Sequence, residues 1–329
     1  MIADSLGRNV NYQEANMQLK VAFVGAGNMT REHIKAFQNI STVHCVGLYS
    51  RTRARADALA AEYGISKVFN SVAELYGETS ADLVVVSVPE LAVRTVCEEC
   101  FVYPWKMLVE KPAGYNYEDA VAIKDAARRH NSQVWVGLNR RLLSSTLTVQ
   151  ASIDRSSANR FIRVQDQQDQ QAALDAGQPN AVVKNWMYAN SIHLIDYFRL
   201  FGRGEVVEVN RIKAWTPKNP GLVLATVLFS SGDFGLYEGI WKGPGPWGVT
   251  VSSEEYRWEM RPLEIATVQH AGERTRTEAA VHSWDKEFKP GFRAQAEEVV
   301  AAIAGKPCRV PSIDDALETM ALVRRIFEQ

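Results

Sequence analysis

This chain has little cysteine, no long apolar run and almost no net charge, and each absence excludes a class of protein. Four cysteines in 329 residues are too few and too scattered for a disulfide framework. No apolar stretch approaches the roughly 20 residues of a membrane span. The 37 basic and 38 acidic side chains leave a formal charge of −1, which gives no general attraction to nucleic acid or to an anionic membrane. Any anionic ligand must therefore be held by local groups.

Two further patterns are missing. The six histidines have no metal-ligand spacing, so we expect no metal site. Residues 1–18 lack the apolar centre of a signal peptide, which predicts a cytoplasmic protein. Because they are polar and without periodicity, we expect a flexible arm there, or an extension of a chain that could start at Met17.

Cys97 and Cys100 have the spacing of a redox pair. They lie inside a helical pattern, however, and not at a helix start, where a thiolate would be stabilised. Core packing is therefore the favoured interpretation of both residues.

The length and the periodicity predict an α/β protein of two domains. Residues 19–140 alternate short β-rich runs with helices, which is typical of a doubly wound parallel sheet of the Rossmann, dinucleotide-binding kind. Residues 141–329 are predicted to form an α+β domain for substrate binding and oligomerisation, with a large, mostly antiparallel open sheet drawn from 206–269.

Helices are predicted both before and after the strands of that second sheet in the sequence. In the sequence before it, a glutamine-rich loop at 165–178 is followed by a helix at about 185–200. After it, helices at 292–304 and 312–327 close the chain, and we expect that they can pack back on the first domain.

A glycine loop after the first predicted strand indicates a dinucleotide site. Gly25 permits a tight turn, and Gly27 lets the backbone approach a pyrophosphate at a helix N-terminus, where free amides and the helix dipole favour negative charge. Asn28 and Met29 complete the predicted contact. Thr30 occupies the position of the third glycine of the fingerprint. The dinucleotide interpretation is therefore supported by the predicted strand before the loop and the predicted helix after it. An ordinary strand-to-helix turn is the alternative.

The second predicted strand ends in Ser50 and Arg51, where an NAD site typically has an acid. A nearby arginine accommodates a 2′-phosphate instead, so Ser50 and Arg51, with Arg53 as a further candidate, favour NADP over NAD as cofactor. The alternative is that these arginines only solvate the next helix.

Lys111 follows a buried strand that ends in Val109 and Glu110. In an open parallel sheet the strand ends deliver side chains to the ligand crevice, and Pro112 stiffens the turn. Lys111 is therefore a predicted catalytic group that hydrogen-bonds a substrate hydroxyl and assists proton movement, above all if a dry pocket lowers its pKa. We expect Glu110 and Lys111 to border the cofactor as well. A surface lysine in a loop is the alternative.

Three motifs together resemble those of the glucose-fructose oxidoreductase, inositol dehydrogenase and MocA (Gfo/Idh/MocA) family. They are Gly25-x-Gly27, Glu110-Lys111-Pro112 and Gly137-Leu138-Asn139-Arg140-Arg141. The similarity extends from about Leu19 to the end of the chain. It implies an NAD(P)-dependent dehydrogenase or reductase for a sugar, cyclitol or nucleotide sugar, which forms a homodimer or homotetramer through the large sheet.

The family also has a helix with the pattern Asp-x-x-x-His-x-x-Asp, which this chain matches from Ala189 to Asp196. The resemblance implies that His193 manages the proton together with Lys111, and that Asp196 is structural or orienting. The usual first acid is Ala189 here. Asn190 lies three residues before His193, on the same helical face, and an asparagine can orient a hydroxyl but cannot exchange protons. Asn190 and Tyr188 are thus predicted substrate contacts, with Tyr188 a third proton carrier.

Other site predictions have weaker signals. The resemblance implies that Val88, Pro89 and Glu90, where the family often has Thr-Pro-Asn, meet the cofactor. It also makes Asn139 and Arg140 candidate substrate contacts.

Trp241 lies in a segment, 237–247, that mixes aromatic residues with glycine and proline. Such a segment could border a sugar. Packing at a sheet edge or an oligomer interface is the favoured reading.

The leading hypothesis is an NADP-preferring oxidoreductase that moves a hydride between nicotinamide and a secondary alcohol. Two alternatives remain open. The missing acid at Ala189 favours a non-catalytic, NADP-binding sensor of the same fold. A glycosidase that oxidises its substrate transiently with bound NAD is the other.

Overall fold

The computed structural model of the chain describes residues 18–217 and 221–328. Apart from Gln18, the predicted arm at 1–18 lies outside the described residues. Within these ranges none of the helices combines the length and the apolar character needed to cross a bilayer.

The first part of the described chain alternates strands and helices. Its strands are β1 (Leu19–Val24), β2 (Val43–Tyr49), β3 (Val68–Phe69), β4 (Leu83–Val86), β5 (Lys106–Glu110) and β6 (Val134–Gly137). Its helices are α1 (Asn28–Gln38), α2 (Arg53–Tyr63), α3 (Val72–Thr79), α4 (Val93–Phe101) and α5 (Tyr117–Arg129), with 3₁₀ turns at Glu90–Ala92 and Asn139–Leu142.

These strands form a parallel sheet in the order β3-β2-β1-β4-β5-β6. The valine-rich β4 is buried along its whole length, as expected for a strand covered on both faces. The strand order reverses between β1 and β4, and at such a switch point the ligand crevice opens beyond the carboxyl ends of the strands. The loops after β1, β4, β5 and β6 therefore lie at the same edge of the sheet.

The second part is built on a larger sheet. Its strands are β7 (Phe161–Gln167), β8 (Val206–Lys213), β9 (Leu222–Phe229), β10 (Phe234–Ile240), β11 (Gly248–Ser252), β12 (Tyr256–Met260), β13 (Ala266–His270) and β14 (Thr277–Glu278). Its helices are α6 (Ser144–Ile153), α7 (Gln170–Asp175), α8 (Asn180–Lys184), α9 (Ile192–Phe201), α10 (Trp284–Glu287), α11 (Phe292–Ile303) and α12 (Ile313–Phe327), with a π-helical turn at Met187–Ser191.

The second sheet runs β14-β13-β12-β11-β7-β10-β9-β8, and among these strands β7 and β10 pair in parallel while the other pairs are antiparallel. Burial alternates along β9, because successive side chains of a strand point to opposite faces. The inner face packs on α9, whose residues from Ile192 to Phe198 are all buried. The predicted fold class, a Rossmann sheet followed by an open and mostly antiparallel one, is confirmed.

The last two helices pack against the first sheet's helices. In the described chain α11 contacts α1, and α12 contacts both α5 and α9. The Ser312 hydroxyl accepts a hydrogen bond from the Asp315 amide and caps α12. On α4, Cys97 and Cys100 are free, fully buried thiols, and burial raises the pKa of both, which fits the packing interpretation.

Two predictions about the helices were wrong. The segment expected to be one helix at about 185–200 has α8 before it and opens with the π-helical turn, so the regular α-helix begins only at Ile192. The glutamine-rich loop contains α7, which the Asp169 side chain caps by accepting a hydrogen bond from the Ala172 amide. Apolar periodicity does not distinguish a π turn from an α turn, and this cap was not recognised in the sequence.

Candidate active site

The two glycines of the first loop have different structural roles. Gly25 has a φ of +119°, and a Cβ on it would lie 1.9 Å from the Ser87 carbonyl oxygen, so no larger residue fits without a backbone shift. Gly27 is the N-cap of α1 in ordinary extended conformation, and a Cβ there would meet nothing within 4 Å. Open space thus lies over Gly27, at a helix start whose first amides have no intrahelical partner. Both features suit a pyrophosphate.

Thr30, which replaces the third glycine of the fingerprint, has a local function. Its fully buried Oγ1 accepts a hydrogen bond from the Gly27 amide at 3.3 Å and donates one to the Ser87 carbonyl at 3.4 Å. The side chain therefore joins the loop after β1 to the loop after β4. The departure from the fingerprint leaves the predicted loop intact.

The end of β2 lies beside this loop, because the Gly25 amide donates to the Tyr49 carbonyl at 2.8 Å. Ser50 and Arg51 follow directly. Arg51 is exposed and has no hydrogen-bond or ion-pair partner among the described residues. Arg53, by contrast, is bound to Asp57 and Asn70. Of the two arginines, Arg51 is the one available to a phosphate.

Lys111 leaves the end of β5 and reaches the second part of the chain. Its Nζ donates a hydrogen bond to the carbonyl oxygen of Ala189 at 2.8 Å, on the π-helical turn that leads into α9. Burial lowers the pKa of Lys111, and the nearby carboxylates of Glu110 and Glu90 oppose this shift only in part. A lysine with a lowered pKa is suited to proton exchange near neutral pH.

Glu110 does not face the substrate space freely. Its buried carboxylate lies 2.8 Å from Nε2 of His33, a side chain on α1 that is 1% exposed. This pair connects the helix after the glycine loop with the strand that carries Lys111. His33 was not singled out in the sequence, since a lone histidine on a helix gives no signal of its partner.

His193 is buried near the same place. Its Nδ1 has no hydrogen-bond partner among the described residues, and its ring lies 6.3 Å from that of Trp247. The Arg140 guanidinium lies over the Trp247 ring, 4.9 Å from the ring centroid. Burial lowers the pKa of His193 well below its ordinary value, and the positive charges of Lys111, Arg140 and Lys289 add to the shift. His193 is therefore a neutral imidazole at pH 7, able to accept a proton.

Asp196 serves the structure of α9. Its carboxylate accepts two hydrogen bonds from Arg141, at 2.6 and 2.7 Å, and a third from the Thr319 hydroxyl at 2.8 Å. With all these donors, and only 3% of the residue exposed, Asp196 orients the helix that carries His193.

The comparisons with known proteins concern the fold and its first domain. Residues 19–138 match the family model described as "Oxidoreductase family, NAD-binding Rossmann fold", GFO_IDH_MocA. Over these residues the chain is similar to the NAD-binding domain of the Gfo/Idh/MocA family. The structure of a dehydrogenase from Chromobacterium violaceum is similar with a TM-score of 0.80 at 18% identity, over 94% of each chain, which shows the shared fold.

Two curated relatives match over parts of their length. Glucose-6-phosphate 3-dehydrogenase of Bacillus subtilis is 30% identical over 125 residues, 38% of this chain and 35% of that protein. 4-Carboxy-2-hydroxymuconate-6-semialdehyde dehydrogenase of Sphingobium is 23% identical over 209 residues, 63% of this chain and 65% of that protein. The chain thus aligns with less than two thirds of each of these relatives.

Tyr188 does not lie beside Lys111 and His193. The side chain is fully buried, and its hydroxyl donates a hydrogen bond to the Glu328 carboxylate near the end of the chain. Burial and Glu328 together raise the pKa of the phenol, which suits neither proton transfer nor substrate contact. The prediction of Tyr188 as a proton carrier and substrate contact was wrong, because the side chain is buried and its hydroxyl is bound to Glu328.

Trp241 is likewise a core residue. It is 1% exposed and packs against Trp215 and Phe327. Burial alternates along β10, and Trp241, the residue after it, continues the buried set that includes Tyr237. The period of two could therefore have excluded Trp241 as a sugar contact. Trp247, at the end of the same predicted segment, is the tryptophan that lies beside His193.

The remaining candidates divide between the site and its frame. Asn139 is 9% exposed and its side-chain amide donates to the Pro290 carbonyl, so it holds the 289–291 turn. Arg140 lies beside Trp247 and has one ion-pair contact, at 3.2 Å, with Glu264. Asn190 lines a cleft together with Trp247. Val88 and Pro89 lead out of β4, and Glu90 is close enough to Lys111 to act on its pKa.

Proposed function

We propose that this chain is an NADP-preferring oxidoreductase that transfers a hydride between nicotinamide and a secondary alcohol or ketone of a sugar, cyclitol or nucleotide sugar. The observation that carries the proposal is the hydrogen bond between Lys111 Nζ and the Ala189 carbonyl. It brings the lysine at the end of β5 to the turn before His193, beside the edge of the sheet where the glycine loop opens.

The residues of the first sheet fit the cofactor. The space over Gly27 and the amides at the start of α1 suit a pyrophosphate, and the unpaired Arg51 suits a 2′-phosphate. When bound, the nicotinamide would supply or accept the hydride. NADP preference rests on Arg51, because no acid follows β2 at Ser50 or Arg51.

The proton is handled by the side chains. In the oxidation direction, Lys111 hydrogen-bonds the substrate oxygen, and the neutral imidazole of His193 takes up the proton as the carbonyl forms. The lowered pKa of Lys111 brings it toward neutral pH, and the lowered pKa of His193 leaves its imidazole unprotonated before the transfer. Arg140, beside His193, suits a phosphate or carboxylate on the substrate, and the B. subtilis relative named above acts by its name on a sugar phosphate.

The test is turnover of a panel of sugars, cyclitols, sugar phosphates and nucleotide sugars with NADP or NADPH. We expect Lys111→Ala and His193→Ala each to lose about 10²- to 10⁴-fold in kcat/KM, the range of general acid–base catalysis. Lys106→Ala, at the other end of the same strand, and His130→Ala are the matched controls. Normal turnover in both active-site variants would refute these roles.

A sensor of the same fold is the second candidate, and Ala189 is the observation in its favour. Without a carboxylate there, Lys111 binds a backbone carbonyl, which cannot relay a proton. Tight NADPH binding without turnover of any panel member would establish the sensor and exclude the enzyme.

We also infer that the chain self-associates through the outer face of the second sheet. Phe161 on β7 and Phe234 on β10 are 42% and 39% exposed and lie 5.9 Å apart, with Val207, Ile212 and Leu222 also exposed on neighbouring strands. Light scattering after size exclusion should give a dimer or tetramer, and Phe234→Lys should weaken it. A monomeric native chain would contradict this inference.

A further inference from the structure

A buried polar chain leads from β7 to the turn before His193. Asp166 and Gln168, each 1% exposed, lie at the end of β7, and Gln168 Nε2 donates to Asp166 Oδ1 at 2.6 Å. Tyr237 donates its hydroxyl to the other carboxylate oxygen at 2.7 Å. On the far side, Gln168 Oε1 accepts hydrogen bonds from Trp186 Nε1 and from Asn190 Nδ2, both at 2.8 Å.

The chemistry of these partners determines how both amides are oriented. An indole N–H can only donate, so the group of Gln168 that faces Trp186 must be its oxygen, and its NH₂ must face Asp166. With Gln168 Oε1 in that place, Asn190 must direct its NH₂ toward Gln168. Asn190 Oδ1 is then left without a partner among the described residues, at the cleft that Trp186 and Trp247 also line.

Trp247 connects this cleft with His193. Trp247, which lines it, lies beside the His193 ring, and its own indole N–H is held by the Gln167 carbonyl at 2.9 Å. Asn190 is the next residue after Ala189, whose carbonyl binds Lys111. An oriented acceptor therefore stands one residue from the point that Lys111 contacts.

We propose that Asn190 determines substrate specificity by accepting, through Oδ1, a hydrogen bond from a substrate hydroxyl, and that Gln168 is a positioning residue which acts only through Asn190. The proposal rests on the proposed function, since it assigns a subsite of the same polyhydroxylated substrate. The class of ligand is one with a hydroxyl next to the reacting carbon, because Asn190 neighbours the Lys111 contact. Asn190 takes no part in proton transfer, for an amide does not exchange protons as a carboxylate does.

The test compares kcat and KM of the native chain, Asn190→Ala, Gln168→Ala and the double variant on the panel substrate that turns over best, and on its monodeoxy analogues. We expect about a 3- to 10-fold loss in kcat/KM for each single variant, the size of one neutral hydrogen bond, mainly through KM. The double variant should lose no more than either single one. With the native chain, one monodeoxy analogue should show a kcat/KM lower than that of the full substrate by the same factor. With Asn190→Ala, removal of that hydroxyl should lower kcat/KM no further.

Asn185→Ala is the matched control, since within the described part of the chain the Asn185 side chain binds only the Ala181 carbonyl, one turn earlier. NADPH affinity should be unchanged in every variant. If Gln168→Ala does not fold, the nearly isosteric Gln168→Glu replaces it, because it removes the NH₂ that Asp166 holds and so disturbs the orientation of the group that faces Asn190. Full kcat/KM in Asn190→Ala, or additive losses in the double variant, would overturn the inference.

Failure of the proposed function gives a different result. The same sugars are then titrated into the NADP-bound chain by calorimetry. Sugar binding that Asn190→Ala weakens, without turnover, refutes the proposed function and supports the subsite. Turnover that is indifferent to Asn190 refutes the subsite alone. Binding without turnover that is indifferent to Asn190, or no binding of any panel member, refutes both.

Discussion

Replacing Gly25 and Gly27 separately by alanine should divide folding from cofactor binding within one loop. For Gly25→Ala the new Cβ would lie 1.9 Å from the Ser87 oxygen and 2.8 Å from its carbon, in a backbone with a φ of +119°. Strain of a non-glycine residue at such a φ costs about 1–3 kcal/mol, and overpacking against the backbone about as much. The expected loss of stability is roughly 2–6 kcal/mol.

Gly27→Ala should behave in the opposite way. The residue has ordinary φ and ψ of −97° and −177°, and the new methyl group meets no atom within 4 Å. Loss of a good N-cap costs at most about 1 kcal/mol. Because the methyl group enters the space where the backbone would approach a pyrophosphate, NADPH affinity should fall at least about tenfold, which is 1.4 kcal/mol.

The assay is urea unfolding without cofactor, followed by tryptophan fluorescence, together with NADPH titration of each folded variant. Each variant is the control for the other, since both add one methyl group to the same loop. If Gly25→Ala is as stable as the native chain, Gly25 does not lie against the Ser87 carbonyl in the tight turn. Unchanged NADPH affinity in Gly27→Ala would show that the pyrophosphate does not bind at this loop.

Three further predictions concern charged groups. Arg51→Ala should lower the affinity for NADPH at least about tenfold and leave the affinity for NADH unchanged, because it removes a charged hydrogen bond of about 1.5–3 kcal/mol. Arg53→Ala should change neither affinity. Equal effects of Arg51→Ala on both cofactors would contradict the assignment. The depressed pKa of His193 means that the unfolded chain binds more protons below pH 6.5, so its contribution to stability is complete above pH 6.5 and falls by up to about 1.4 kcal/mol per pH unit below it. Denaturant unfolding between pH 5 and 8 measures this slope, and His193→Asn should lower it. Arg141→Met should lower the free energy of unfolding by about 3–5 kcal/mol, because it leaves the buried Asp196 carboxylate without its ion pair. Arg128→Met, in an ion pair whose side chains are 63% and 53% exposed, should lower it by at most about 1 kcal/mol. Similar unfolding midpoints of the two variants would disprove the difference.

The fold could be predicted almost completely because its signals are local. Buried valine runs such as β4 and the alternation along β9 specify strands wherever they occur in the chain. The loop with Gly25 and the strand end with Lys111 follow from chain order once the sheet is parallel. The start of α9 was missed, since a π turn has the same apolar composition as an α turn.

The partners of the site residues could not be read in the same way. Lys111 and Ala189 are 78 residues apart, and Tyr188 meets Glu328 across 140 residues. Asn190 was predicted as a substrate contact from its helical spacing, but nothing in the sequence pointed to Gln168. The orientation of the Gln168 amide depends on Trp186 and Asp166.

The sequence by itself determined the two sheets and pointed to the catalytic candidates Lys111 and His193, because periodicity and short motifs act over a few neighbouring residues. The tertiary structure alone decided which polar groups meet: that Lys111 binds a backbone carbonyl where relatives are expected to have an acid, that Tyr188 turns away, and that Asn190 presents an acceptor. The physical reason is that each buried donor and acceptor must find a partner, and packing of distant segments decides which partners are within reach.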